Sequence, residues 1–262
     1  MIDFVRKETY GLNDLKNIVA LLRGPGGCPW DAEQTHEGIR RDLLEECYEV
    51  VEAINQKNSE HLQEELGDVL LQVVFLSQLE QEAGRFDFEA VADGICKKLI
   101  FRHPHVFGDV SVADSAEVLV NWDKLKREEK GQETYTDTLT SVATSLPALW
   151  RAEKVQKKAK KAGFDWPDAA GALDKLSEEL GELKEAIDQN TNVEEELGDL
   201  LFAAVNVARF VKADPEQTLT AATEKFISRF AKVEELARQQ GRDMAQMPLS
   251  ELDRLWEQVK LT

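Results

Sequence analysis

The 262-residue sequence lacks several features that would each point to a definite kind of protein. Its three cysteines, Cys28, Cys47 and Cys96, are too few and too scattered for a disulfide framework or a thiolate metal site. Reduced thiols are the simple reading. Basic charge is short: 32 Lys and Arg stand against 50 Asp and Glu, and the formal net charge of −18 excludes a surface built to coat nucleic acid. Proline and glycine are sparse, at 7 and 15 residues, and no convincing run alternates apolar with polar residues as a half-buried strand does. The longest apolar runs, around residues 69–79 and 200–211, are too short to cross a bilayer. The start, MIDFVRKETYGLNDL, has no apolar stretch behind a basic head, so a secretory signal is not expected. The expected compartment is the cytoplasm, with neither membrane nor nucleic acid as partner.

What fills the chain instead is acid and leucine. Segments such as LLEECYEVVEAI, HLQEELGDVLLQVVFLSQL, LDKLSEELGELKEAI and VEEELGDLLFAAVNVARFV carry apolar residues every three or four positions, the helical period. The expected fold class is all-α. The landmarks also come twice and in the same order. EECYEVVEAI at 45–54 answers EELGELKEAI at 178–187, and ELGD at 65–68 returns at 196–199. Lys98 and Arg102 answer Lys225 and Arg229, and VLVNWDKLK at 118–126 answers LDRLWEQVK at 252–260. An offset that stays near 130 residues means tandem duplication. The polar stretch at 127–145 reads as the connector, giving a first domain over 1–130, a linker over 131–145 and a second domain over 146–262.

Each copy holds Glu-x-x-Glu and, one helix later, Glu-x-x-Asp. Residues three apart share a helix face, so Glu46 and Glu49 project together, as do Glu65 and Asp68. The second copy repeats this with Glu179 and Glu182, then Glu196 and Asp199. Two antiparallel helices would aim all four carboxylates at one spot. Four clustered anions raise one another's pKa unless a cation sits among them. An all-oxygen donor set with no His or Cys selects Mg²⁺, or Mn²⁺, over zinc or copper. Mg²⁺ keeps waters and shares its shell with substrate phosphates, so the pattern points to a metal-dependent phosphate enzyme. A single Glu-x-x-Glu is ordinarily a solvated helix face. The whole constellation, present twice, is not ordinary. Gly67 and Gly198, inside ELGD, are expected to let a neighbouring helix approach closely.

The EExxE, ELGD and apolar-helix series resembles the MazG nucleoside triphosphate pyrophosphohydrolases of the all-α NTP pyrophosphatase superfamily. The GGCPWD box at 26–31, the RHPHVFGD box at 102–109 and the duplication are similar to its two-domain bacterial members, over about the whole chain. The resemblance implies Mg²⁺-dependent hydrolysis of nucleoside triphosphates between the α- and β-phosphates, giving a monophosphate and pyrophosphate. It places the metal on Glu179, Glu182, Glu196 and Asp199, with Glu46, Glu49, Glu65 and Asp68 as a second, N-terminal quartet. Substrate contacts carry over to Lys225, Arg229 and Trp256, and to Lys175 and Arg102 with less support. A homodimer is implied, formed by helices of two chains packing together.

Glu178 and Glu195 flank the metal-binding acids and are the candidates to orient or deprotonate the attacking water. Asn206 lies seven residues past Asp199 on the same face and needs a partner or a ligand, because a buried amide without a hydrogen bond is costly. The first copy has Phe75 at the matching place, and basic residues crowd the approach to the second at 154–163. The C-terminal copy is therefore expected to be the working one, the N-terminal copy weak, regulatory or structural. His103 and His105 are expected in a structured loop, and Trp30 and Trp166 to anchor the chain where it enters each copy. The rivals are a narrower dUTP or phosphoribosyl-ATP pyrophosphohydrolase, and a non-enzymatic helical module whose acidic stripe binds a basic partner. A carboxylate-bridged storage bundle would use Glu-x-x-His on facing helices. No histidine completes either quartet that way.

Overall fold

The computed structural model describes residues 4–260, and every element among them is helical. The chain divides into two compact units on either side of the Lys126–Arg127 bond. No helix among the described residues is long and apolar enough to cross a membrane. The three cysteines are free thiols.

The first unit is built on a helical hairpin, α3 (His36–Gln56) and α4 (Ser59–Glu82). Thr35 caps α3 by accepting from the Gly38 amide, and Asn58 caps α4 by accepting from the Glu60 and His61 amides. Such caps satisfy donors that have no partner inside the helix. The turn between the helices is made by Lys57 in the left-handed region, at φ 55°. Helix α1 (Leu12–Arg23) packs on α4 and on the short α2 (Pro29–Glu33). Gly27, in the GGCPWD box between α1 and α2, has no room for a side chain: a Cβ there would lie 2.3 Å from the Leu21 and Leu22 carbonyl oxygens. The core of this unit is Val19, Ile39, Val74, Phe75 and Leu79, with Leu15, Leu71 and Phe88 against it. Burial of Phe75 alone is worth about 2–3 kcal/mol. Helix α5 (Phe88–Arg102) then packs on α4, followed by α6 (Pro104–Phe107) and α7 (Ser115–Glu129).

The second unit repeats the hairpin as α10 (Ala169–Gln189) and α11 (Val193–Phe210). Like α3, α10 has 21 residues and ends on a left-handed residue, here Asn190 at φ 52°. The stretch expected as a bare linker contains α8 (Tyr135–Thr140), which packs on α9 (Ala148–Lys161). The reason is local: Thr134 accepts from the Asp137 amide while Asp137 accepts from the Thr134 amide, a reciprocal cap that starts a helix. Helix α9 packs on α11 and on α12 (Pro215–Gln239), and α12 on α13 (Leu249–Lys260). An apolar core of this unit lies between α12 and α13, around Val233, Ala237, Met247, Leu255 and Val259.

Two expectations about single residues fail here. Gly67 and Gly198 do not admit a neighbouring helix of the chain, since a Cβ at either would meet nothing within 4 Å. Both glycines are exposed on their hairpins. Trp30 is 62% exposed and packs into no core. Trp166, by contrast, lies directly on Gly171 at the start of α10, with ring carbons 2.3 and 2.7 Å from where a Cβ would be.

Candidate active site

Both hairpins do what the spacing of their acids requires. Helix α3 presents Glu46 and Glu49 one turn apart, and α4 returns to set Glu65 and Asp68 beside them. One carboxylate oxygen from each of Glu46, Glu49 and Glu65 lies within 4.8 Å of the others. In the second unit the same holds for Glu179, Glu196 and Asp199, with Glu182 close enough to feel both Glu179 and Glu196. Sequence explains why acid stands at the mouth of α11: Glu194, Glu195 and Glu196 occupy its first turn, where the helix dipole favours negative charge.

The charges are crowded enough to resist ionisation. Lost water, then Asp68, Glu49 and Glu65, push the Glu46 carboxyl up to about 7. Burial and Glu49 raise Glu65, and lost water and Glu179 raise Glu182. Glu65 and Glu179 are each 6% exposed, and in each the Oε2 atom is buried with no hydrogen-bond partner. A buried carboxylate oxygen left unpaired costs free energy on the kcal scale. Two orphaned oxygens, each in an all-carboxylate cluster, are what a hard divalent cation satisfies.

The two clusters differ in their neutralising partners. In the second unit Lys175, one turn before the acids on α10, places Nζ 2.7 Å from Glu179 and 2.9 Å from Glu178. These hydrogen bonds raise the lysine further, Glu179 first. Asn192 donates to Glu196 at 2.6 Å. In the first unit the place of Asn192 belongs to His61, 2.9 Å from Glu65, and the place of Lys175 belongs to Asp42. Among the described residues no lysine or arginine pairs with Glu46, Glu49, Glu65 or Asp68.

The sequence profile of the MazG nucleotide pyrophosphohydrolase domain matches residues 34–107 and again 169–234, enclosing one quartet each time. The chain belongs to the MazG family. It is 46% identical over 247 residues to a Thermotoga maritima protein named nucleoside triphosphate pyrophosphohydrolase/pyrophosphatase MazG, covering 94% of each chain. It is 44% identical over 254 residues to an Escherichia coli nucleoside triphosphate pyrophosphohydrolase, covering 95% of this chain and 97% of that one. An uncharacterized Bacillus subtilis protein is 46% identical over 250 residues, which are 94% of this chain and 51% of that longer one.

Within this MazG frame the remaining candidates fall into distinct surroundings. Glu178 is exposed and bound to Lys175; Glu195 is exposed, and among the described residues its carboxylate accepts no hydrogen bond. Lys225 and Arg229 stand one turn apart on α12, the first exposed and the second half-buried, and among the described residues neither forms an ion pair. Among the described residues no side-chain hydrogen bond or ion pair joins them to the quartet. Trp256 belongs to the α12–α13 core, its ring 5.2 Å from that of Phe226. Arg102 is buried on α5 with its guanidinium 5.2 Å from the Trp122 ring. His103 and His105 lie around the start of α6, rings 5.6 Å apart, and join no carboxylate cluster among the described residues.

Asn206 has found a partner. Its buried carbonyl oxygen accepts from Arg209 Nε at 2.9 Å and Nη2 at 2.6 Å, and Arg209 Nη1 reaches Asp165 Oδ2 at 3.0 Å. Arginine only donates, so the Asn206 oxygen faces it and the amide nitrogen turns away. The guanidinium holds the Asp165 carboxyl below the usual range. Gln156 of α9 adds a bond from Nε2 to the Phe202 carbonyl at 2.8 Å. Together these tie α11, with Glu196 and Asp199, to α9 and to the segment before α10. The first unit solves the same problem differently. Arg23 of α1 bonds Glu82 at 2.8 Å and the Asp31 and Gln34 carbonyls, and its guanidinium lies 5.1 Å from the Phe75 ring. Asp165 and Gln156 are invisible to spacing rules, because their partners lie 44 and 46 residues away, whereas Arg209 stands i, i+3 to Asn206 on one helix. Asn192 was findable, as an i, i+4 donor to Glu196.

Proposed function

We propose that this MazG protein hydrolyses nucleoside triphosphates, ordinary and aberrant, to nucleoside monophosphate and pyrophosphate, with Mg²⁺ or Mn²⁺ held by the carboxylate quartets. The observation that carries the reading is the pair of orphaned buried oxygens on Glu65 and Glu179, each within an all-oxygen cluster. The names of the relatives supply the substrate class. A cation on Glu179, Glu182, Glu196 and Asp199 would supply charge neutralisation on the triphosphate and a more acidic bound water.

The chain's own residues do the rest. Phosphoryl transfer is mostly positioning and electrostatics. Lys175, held at the cluster by Glu178 and Glu179, is placed to offset phosphate charge. Lys225 and Arg229, uncommitted to any ion pair among the described residues, are free to bind a polyphosphate. Glu178 and Glu195, both exposed at the rim, are the groups to orient the water and take its proton. The amide nitrogen of Asn206 and the ring of Trp256 are the candidates for the nucleoside. The cationic partner Lys175 belongs to the second unit only, and this favours that unit as the catalytic one.

A homodimer completes this reading. The hairpin helices expose large apolar side chains outward, among them Leu180, Leu197, Leu201 and Phe202 in the second unit, each 44–52% exposed. Large apolar side chains left exposed together are what an interaction face presents. The bare Gly198 lies within it.

Product analysis tests the chemistry. Incubated with a nucleoside triphosphate and Mg²⁺, the protein should yield monophosphate and pyrophosphate in equal amounts, and chelation by EDTA should stop it. Diphosphate and inorganic phosphate as products would show cleavage at the other bond. Equal rates in EDTA would remove the metal from the account. Turnover confined to dUTP or phosphoribosyl-ATP would establish the narrower enzyme.

A further inference from the structure

The two quartets share a geometry and differ in charge, and the difference bears on when each takes up its metal. In the second unit Lys175 lies 2.7 Å from Glu179 and supplies one positive charge at the cluster before any ligand arrives. An entering cation meets this ammonium's repulsion. In the first unit the corresponding position, one turn before Glu46 on α3, is Asp42, an added acid in place of a base. Glu46, Glu49 and Glu65 offer carboxylate oxygens within 4.8 Å of one another, and none of the four acids has a lysine or arginine partner among the described residues. His61 meets one oxygen of Glu65, which is 6% exposed, and leaves the other buried and unpaired in the cluster.

Resting on the reading of the quartets as cation sites, we propose that the first unit carries a resident divalent cation on Glu46, Glu49 and Glu65, with Asp68 beside them, taken up without nucleotide. The second unit takes its metal together with the triphosphate, whose negative charge draws Lys175 away from Glu178 and Glu179. Hard oxygen ligands in a compact group with no lysine or arginine among its partners attract such an ion by charge. The first site then serves as a permanent cross-link between α3 and α4, and metal at the second site depends on the substrate.

The test uses the full chain, stripped of metal with EDTA and dialysed, and Mn²⁺ as the probe read by electron paramagnetic resonance without nucleotide. Wild type should bind one Mn²⁺ per chain. Glu49→Gln should weaken that binding at least about tenfold, the scale on which metal-site changes act. Asp42→Lys, which copies the second unit's lysine, should weaken it as well, and Lys175→Asp should create a second nucleotide-free site. Thermal melts with and without Mn²⁺ give an independent readout: the ion should raise the melting temperature of wild type but not of Glu49→Gln. If Glu49→Gln does not fold, the Asp42 and Lys175 variants answer the same question. No nucleotide-free binding in wild type, or an unchanged stoichiometry in both charge swaps, would overturn the inference. Pyrophosphate release from the same wild-type sample separates the two failures. Release without nucleotide-free binding defeats the resident ion alone, and loss of both defeats the proposed function.

Discussion

Asp165, Arg209 and Asn206 show how much a few side chains can settle in a helical hairpin protein. Arg209 and Asp165 have side chains only 6% and 12% exposed, and each is the other's nearest charged partner offsetting lost hydration. Arg209→Met should therefore destabilise the second unit by about 3 kcal/mol, because it strips a largely buried carboxylate of its nearer partner and leaves it the exposed Lys160 at 3.6 Å. Combining it with Asp165→Asn should recover much of that loss. Urea unfolding of the two variants checks this, and equal destabilisation in both would show that the pair contributes through packing alone. The site acids lie at the legible end of the same scale. Glu179, Glu182, Glu196 and Asp199 were readable because three-residue spacing fixes a shared face, and the repeat showed that the face matters. Asp165 was not, since a loop Asp reads as solvated surface until its partner on a distant helix is known. The need of Asn206 for a partner was foreseen from burial cost; that the partner would be Arg209 was not.

At the scale of elements, helix positions followed from period and composition, and the two hairpins from their repeated landmarks. Helix α8 was missed because its capping box uses Asp137 where Glu or Gln is usual, inside a stretch whose polarity reads as linker. The clasp at the far end of the first hairpin was also hidden. Glu80 near the end of α4 meets His36 at the start of α3 at 2.5 Å and Arg85 Nη2 at 2.8 Å. Arg85, then His36, bring the Glu80 carboxyl down from 4.5 to about 2. A folded-state pKa below the unfolded one gives stability that is present above pH 4.5 and is lost as pH falls toward 2. Glu80→Gln should thus flatten the acid limb of the stability curve between those values and leave its slope above pH 5 unchanged. Thermal melts across pH 2 to 6 measure it, and parallel curves for variant and wild type would assign the acid limb to other carboxylates.

For the whole molecule, duplication has given one chain two carboxylate clusters with unequal surroundings and exposed apolar side chains on the hairpin helices. Gly198 is a direct probe of that surface. In an isolated chain its Cβ position is open, so Gly198→Ala should stabilise α11 by about 1 kcal/mol through helix propensity alone. In the proposed dimer the added methyl meets the partner, and the variant should dissociate at higher protein concentration than wild type. Sedimentation velocity decides between them: a variant as dimeric as wild type and more stable would free this face of any packing role.

The central claim is that the second quartet breaks the triphosphate. The most direct measurement is pyrophosphate release with Mg²⁺ from wild type, Glu179→Gln and Glu46→Gln, each confirmed folded by circular dichroism. Glu179→Gln should lose roughly 100-fold or more, since even groups that only support a metal ligand cost 10- to 100-fold. Glu46→Gln should keep most of the wild-type rate. Loss in Glu46→Gln with full activity in Glu179→Gln would contradict it and move catalysis to the first unit.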